Sequence, residues 1–162
     1  MGYQPQTPFR RAYDAARLAD FETKDTPATL TPVNKWDVLR ELGVARRTFG
    51  LSDRTLSVLQ ALLSFHSEAE LSAAETPPIV YPANTTICAR LNGMPCSTMR
   101  RHLASLVKAG FLIRRDSPNG KRFKRGSGVA FGFDLSPLIA RFDVITSAAN
   151  LIRETKAHIE QL

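Results

Sequence analysis

The tightest constraint on the fold lies between Asn84 and Ala109. Two helical patterns, TTICARLN and CSTMRRHLASLVKA, follow each other with only a few residues around Gly93 and Pro95 between them. Asn84 is placed to cap the first, whose Ile87, Cys88 and Leu91 share one side. Gly93 ends it, and Pro95 suits the start of the next helix because its missing N–H has no partner to lose there. A link this short leaves the two helices no room to separate, so they must cross and share a core.

A short glycine-containing turn between crossing helices is the geometry of a helix-turn-helix. Its second helix, about 96–109, separates cleanly on a wheel of 100° per residue. Met99, Leu103, Leu106 and Val107 fall on one side and are expected to bury. Ser97, Arg101, Ser105 and Lys108, with Ala104 among them, fall opposite, and Arg100 and His102 lie on the flanks. Small residues let a helix approach base edges closely, arginine can span a guanine edge with two hydrogen bonds, and hydroxyls can bond bases or phosphates. The N-terminal residues Ser97 and Thr98 bring free N–H groups and a favourable dipole for phosphate.

Charge is distributed to match. Arg90 to Arg125 holds ten basic residues (Arg90, Arg100, Arg101, Lys108, Arg114, Arg115, Lys121, Arg122, Lys124, Arg125) against the single acid Asp116. Acids gather instead in HSEAELSAAE, His66 to Glu75. With 22 Lys+Arg against 15 Asp+Glu, the formal charge of +7 favours a polyanionic partner, nucleic acid before an anionic membrane.

FLIRR and AFGFDL have the alternation of strands, and between them DSPNGKRFKRGSG carries turn residues and positive charge. A hairpin with a long basic loop, about 116–128, follows, its tip at 117–128. Asn119 and Gly120 accept positive φ, and Lys121, Arg122, Lys124 and Arg125 line the loop around Phe123.

Upstream, residues 1–34 contain prolines at 5, 8, 27 and 32 and read as a flexible arm with a short helix around AYDAARLADF. Phe9, Arg10 and Arg11 there read first as a solvated tail, with a phosphate contact as the other reading. Asn34 caps a helix from Lys35 to about Thr48 with Trp36, Val38, Leu39 and Leu42 inward; Ser52 or Asp53 caps a second, very apolar one. Ile79–Tyr81 suits an edge strand before Pro82. Ser136 is placed to cap a long terminal helix that begins with Pro137. Its apolar stripe (Leu138, Ile139, Phe142, Ile145, Ala149, Ile152, Ile159) can lie on the domain's own first helices or on a second copy. The domain division is thus 1–34 as arm and 35–162 as one DNA-binding domain, mainly α with a small β-hairpin.

Several function classes are excluded. The start lacks the apolar core of a secretory signal, and no run of about 18 apolar residues exists to span a membrane. Cys88 and Cys96 lie eight apart without a CxxC or clustered His, so neither a zinc site nor a disulfide framework is expected, and no cofactor. They read as reduced small hydrophobes in a cytoplasmic protein. The three His residues have no nucleophile motif around them and no GxxxxGK[ST] loop exists, so the chain does not read as an enzyme.

CSTMRRHLASLVKAGFLIRR resembles the S-T-x-x-x-H-L-x-x-L-x-x-x-G-x-[IL]-x-R pattern of many winged-helix DNA-binding proteins. More specifically, ALLSFHSE, RLNGMPCSTMRRHLASLVKAGFLIRRDSPNGKR and AFGFDLSPLIAR, in this order, are similar to the N-terminal part of the RepC replication initiators of repABC-type bacterial plasmids. The likeness covers roughly residues 33–142. It implies a winged helix-turn-helix with additional N- and C-terminal helices, double-stranded DNA at a plasmid origin as partner, and recruitment of host replication proteins. It also implies a longer parent protein, since members of the family exceed this length. The DNA-binding residues implied are Ser97, Thr98, Arg100, Arg101, Ser105 and Lys108 on the helix, with Asn119, Lys121, Arg122, Lys124 and Arg125 in the wing. Two other readings share the module: a winged-helix transcriptional regulator that can dimerise through the terminal helix, and a winged helix that binds only protein.

Overall fold

The computed structural model describes residues 31–74, 76–116, 123–124 and 130–161. The expected arm before residue 31, with Phe9, Arg10, Arg11 and its short helix, lies outside them. The described chain is mainly helical with small antiparallel sheets. In order it forms β1 (Val33–Asn34), α1 (Lys35–Ala45), α2 (Asp53–Ser64), β2 (Glu70–Leu71), β3 (Ile79–Val80), α3 (Asn84–Arg90), α4 (Cys96–Lys108), β4 (Ile113–Arg115), β5 (Phe123–Lys124), β6 (Ala130–Asp134), α5 (Ser136–Ala140) and α6 (Phe142–Gln161).

Both upstream helices start as their sequences dictate. The Asn34 side chain accepts from the backbone N–H groups of Trp36 and Asp37, and Ser52 accepts from Thr55 N–H. On α1 the buried positions are Lys35, Val38, Glu41, Leu42 and Ala45. Trp36, expected inward, is 42% exposed. It shares its side of the helix with Arg40, four residues on, which the core-facing stripe of Val38 and Leu42 turns to solvent. The buried Lys35 donates its ammonium to the carbonyl oxygens of Leu63, at 2.9 Å, and His66, so a cation sits on the C-terminal end of α2. Burial lowers the Lys35 pKa from its ordinary 10.5.

α2 is the centre of the core: Val58, Leu59, Leu62 and Leu63 are fully buried, each such side chain stabilising by about 1.5–3 kcal/mol. α4 packs on α2 and α3, while α6 packs on α1. Met99, Leu103, Leu106, Phe111 and Phe133 complete the same cluster.

The central strand of the larger sheet is β6. It pairs with β3 through Ile79↔Asp134 and Val80↔Phe133, with β4 through Ile113↔Asp134 to Arg115↔Gly132, and with β5 through Phe123↔Phe131. Ile79–Val80 thus does join the sheet, as its residues suggest. A Cβ on Gly132 would stand 2.2 Å from the Val80 carbonyl oxygen, so only glycine lets β3 approach here. The pairing of β1 with β2 (Val33↔Leu71, Asn34↔Glu70) has no signal in the sequence, since each strand is only two residues long and holds one apolar and one polar side chain.

Two expected caps differ. α3 begins at Asn84 itself, with Ala83 at the N-cap and no side-chain cap. Ser136 does not cap α5, whose N-cap is Leu135; the buried Asp134 just before it accepts at Oδ1 from Ser136 N–H at 2.9 Å and Ser136 Oγ at 2.6 Å. The expected single terminal helix is also two, interrupted at Arg141 (φ −102°, ψ 11°). Arg141 is buried and donates to the Ala109 carbonyl while its guanidinium lies 4.4 Å from the Phe111 ring centroid. That contact fixes the break and anchors the C-terminal end of α4 to it.

Candidate nucleic-acid interface

Three contacts hold α4 in place. Met99, Leu103 and Leu106 are buried on its inner side, with Val107 partly so. At mid-helix, His102 Nδ1 lies 2.9 Å from Thr55 Oγ1, which lies 3.0 Å from Ser52 Oγ, so a hydroxyl chain ties α4 to the cap of α2. At its end, Arg141 binds Ala109, and Gly110 turns the chain at φ +86°. A Cβ there would meet the Arg141 guanidinium at 2.6 Å.

The opposite side is open. Ser97, Arg100, Arg101, Ala104, Ser105 and Lys108 are exposed, and Thr98 is half-buried. The structure therefore places every expected helix residue on or beside one surface. Ser105 Oγ donates to the Arg101 carbonyl at 3.2 Å, which holds the hydroxyl against its own helix. Pro95 stands at the N-cap, so no side chain caps the first-turn N–H groups of α4.

The electrostatics of this surface are lopsided. Among the described residues, no acid lies within ion-pair distance of Arg100, Arg101 or Lys108. The pKa of His102 is lowered from its ordinary 6.5, first by burial and then by the charges of Arg101 and Arg54. Neutral at pH 7, it links α4 to α2 without adding charge. A row of small, hydroxylated and basic groups on a rigid helix is suited to a polyanion with a groove.

Not every cation of the basic run belongs to that surface. Arg90 donates to Ser64 Oγ at 2.6 Å and lies 4.1 Å from the Phe65 ring centroid. Arg115 makes two hydrogen bonds, 2.8 and 3.0 Å, to Oδ2 of the fully buried Asp134. Arg114, beside it, is exposed. Lys124 lies in β5; Asn119, Lys121, Arg122 and Arg125 lie outside the described residues.

Sequence reasoning missed Arg54. It is exposed on the first turn of α2, and its charge reaches His102 on α4. No spacing along the chain announces it, because only the packing of α2 on α4 brings the two together. The sequence reading also separated Cys88 from Cys96, whose sulfurs lie 2.7 Å apart. A cleft of about 590 Å³ beside β3, lined by Phe65, His66, Pro78, Tyr81 and Thr86 among others, holds none of the expected site residues. No helix among the described residues is long and apolar enough to cross a membrane.

Comparison with known proteins places this architecture. No solved structure matches the chain. A protein of Rhizobium rhizogenes provisionally named replication protein C is 43% identical over 76% of this chain and 32% of its own length. Another of the same provisional name, from Sinorhizobium fredii (strain NBRC 101917 / NGR234), is 41% identical over 96% of this chain and 40% of its own. The chain thus spans well under half the length of these curated relatives. The family model for the replication protein C N-terminal domain matches residues 11–162. The chain belongs to the replication protein C family, and what it holds of that family is the N-terminal domain.

Proposed function

We propose that this chain is the DNA-binding domain of a plasmid replication initiator, built as a winged helix-turn-helix that grips the origin. On this reading α3 and α4 are the helix-turn-helix, α4 lies in the major groove, and the segment joining β4 to β6 is the wing. Arg101 reads a base edge, Arg100 and Lys108 bind flanking phosphates, and the first turn of α4 with Ser97 and Thr98 receives another. Arg54 extends the phosphate contacts onto α2. In the wing, Asn119, Lys121, Arg122, Lys124 and Arg125 are the phosphate or minor-groove contacts by virtue of their sequence. The observation that carries the reading is the outward side of α4, where the cations have no acid among the described residues. Family membership supplies the biological setting.

Footprinting the 162-residue chain on plasmid DNA at two salt concentrations tests it. Protection of one origin segment, weakening as salt rises, is the expected result. Protection confined to a promoter would replace initiation by transcriptional control, and the absence of any salt-sensitive duplex binding would remove DNA from the account.

A further inference from the structure

Cys88 and Cys96 close the two ends of the turn between α3 and α4. Cys88 is buried on the inner side of α3, and Cys96, half-buried, is the first residue of α4. Both are free thiols with Sγ atoms 2.7 Å apart. The backbone holds them there: Gly93 N–H donates to the Cys88 carbonyl at 2.9 Å, and Asn92 and Gly93 both turn through positive φ. Two unlinked sulfurs this close stand well inside ordinary contact and near bonding reach, since a disulfide spans about 2.05 Å.

We propose that Cys88 and Cys96 form a peroxide-reactive dithiol that closes to a disulfide across the turn. Cys96 is the sulfur that a peroxide reaches first. Burial, and then the neighbouring Cys96, push the Cys88 thiol up to about 11, so Cys88 stays protonated and waits as the resolving thiol. The Cys96 thiolate attacks one peroxide oxygen, the O–O bond breaks, and hydroxide leaves, giving a sulfenic acid. Cys88 sulfur then attacks the Cys96 sulfur; the S–S bond forms as the S–O bond breaks, and the thiol proton leaves with the hydroxyl as water. Two thiols lose two electrons and two protons, and one hydroperoxide is reduced.

The sulfurs need move little, so closing the bond leaves the exposed side of α4 as it is. Its value is protective: without Cys88, further oxidation of Cys96 puts a sulfinate at the start of α4, where, on the functional reading above, a phosphate docks.

Treating the 162-residue chain with hydrogen peroxide, then mapping peptides by mass spectrometry, decides it. An intramolecular Cys88–Cys96 disulfide reversed by dithiothreitol is expected, with little dimedone-trapped sulfenic acid. Cys88→Ser, and Cys88→Ala as a second variant, should instead accumulate the Cys96 dimedone adduct. Trapping Cys96 equally in wild type and variants, or linkage only between chains, would overturn the proposal. Salt-sensitive duplex binding, measured on the same samples, should persist in oxidised wild type and fall in oxidised Cys88→Ser; its collapse in oxidised wild type would overturn the protective role. If reduced protein binds no duplex, the functional reading fails while the mass result stands.

Discussion

The arginines along the α1–α6 contact and those on the outer side of α4 are chemically the same groups under opposite conditions. On the first surface each meets acid: Arg40 pairs with Asp37 and Glu41, and Arg153 chelates Glu41 with bonds of 2.8 and 2.9 Å. On the second, Arg100 and Arg101 meet none among the described residues. A chain-wide charge of +7 would assign both surfaces equally to a polyanion. The pairing separates them: a neutralised cation holds two helices together, while an unneutralised one still has an electrostatic field to offer a ligand.

The separation is sharpest within the dipeptide Arg114-Arg115, where both residues are exposed but the second is held by Asp134. Asp134→Ala leaves Arg115 without its carboxylate and the first residue of α5, Ser136, without its acceptor. It should destabilise the fold by about 3 kcal/mol in thermal or urea unfolding. Duplex affinity per folded molecule should stay the same, which would place Arg115 on the structural side of the comparison.

Arg101→Ala tests the other side. On the proposed reading it weakens cognate duplex by about 1–3 kcal/mol and narrows the gap to random sequence, with unfolding changed by no more than about 0.5 kcal/mol. An unchanged cognate-to-random ratio would take base readout away from Arg101. Lys108→Ala should weaken all duplexes alike and lower the salt slope by about one, the signature of a single phosphate contact.

Glu41→Gln is the counterpart on the α1–α6 surface. Arg153 holds the Glu41 carboxyl below its ordinary 4.5, against the opposing effect of burial. A depressed carboxylate pKa gives stability that is complete above about pH 4.5 and is lost as pH falls through the folded value. Wild type should therefore exceed the variant by a few degrees in Tm at neutral pH and converge with it in acid, with duplex binding alike throughout.

The residues that could be read from sequence are those whose role is set by local periodicity. The Met99–Leu103–Leu106 seam and the exposed Ser97, Arg101, Ser105 and Lys108 follow from spacing alone, because a helix of this length has one way to face an apolar core. The caps of α1 and α2 were legible for the same reason. Trp36 was not: a large apolar residue in the first turn reads as core until Arg40 fixes which way that side faces. Nor were Arg54, Thr55, Asp134 and Arg141, whose partners stand far along the chain. Arg141 looks in sequence like an exposed helix residue; the π faces of Phe111 and the terminal carbonyl of α4 become its environment only on folding. The Cys88–Cys96 contact failed for a different reason. An eight-residue spacing is silent until the turn at Asn92 and Gly93 folds back on itself.

His102 makes the smallest and most discriminating test, because it lies between the two kinds of surface. It belongs to the structural network through Thr55, yet its proton would add charge beside Arg101 and Arg54. Its pKa is below the ordinary 6.5 in the folded chain, so the unfolded chain takes up the proton first as pH falls. Stability should be unaffected by this group well above pH 6.5 and should decline as pH drops from there through the folded value. His102→Gln removes that part of the slope while keeping a hydrogen-bonding side chain near Thr55. If unfolding of wild type and variant ran parallel between pH 5 and pH 7.5, roughly the range over which imidazole titrates, the burial and the two arginines would not govern this histidine. If they diverge as argued, burial and the two arginines keep the group beneath the cations of α4 neutral where the free imidazole would take up a proton.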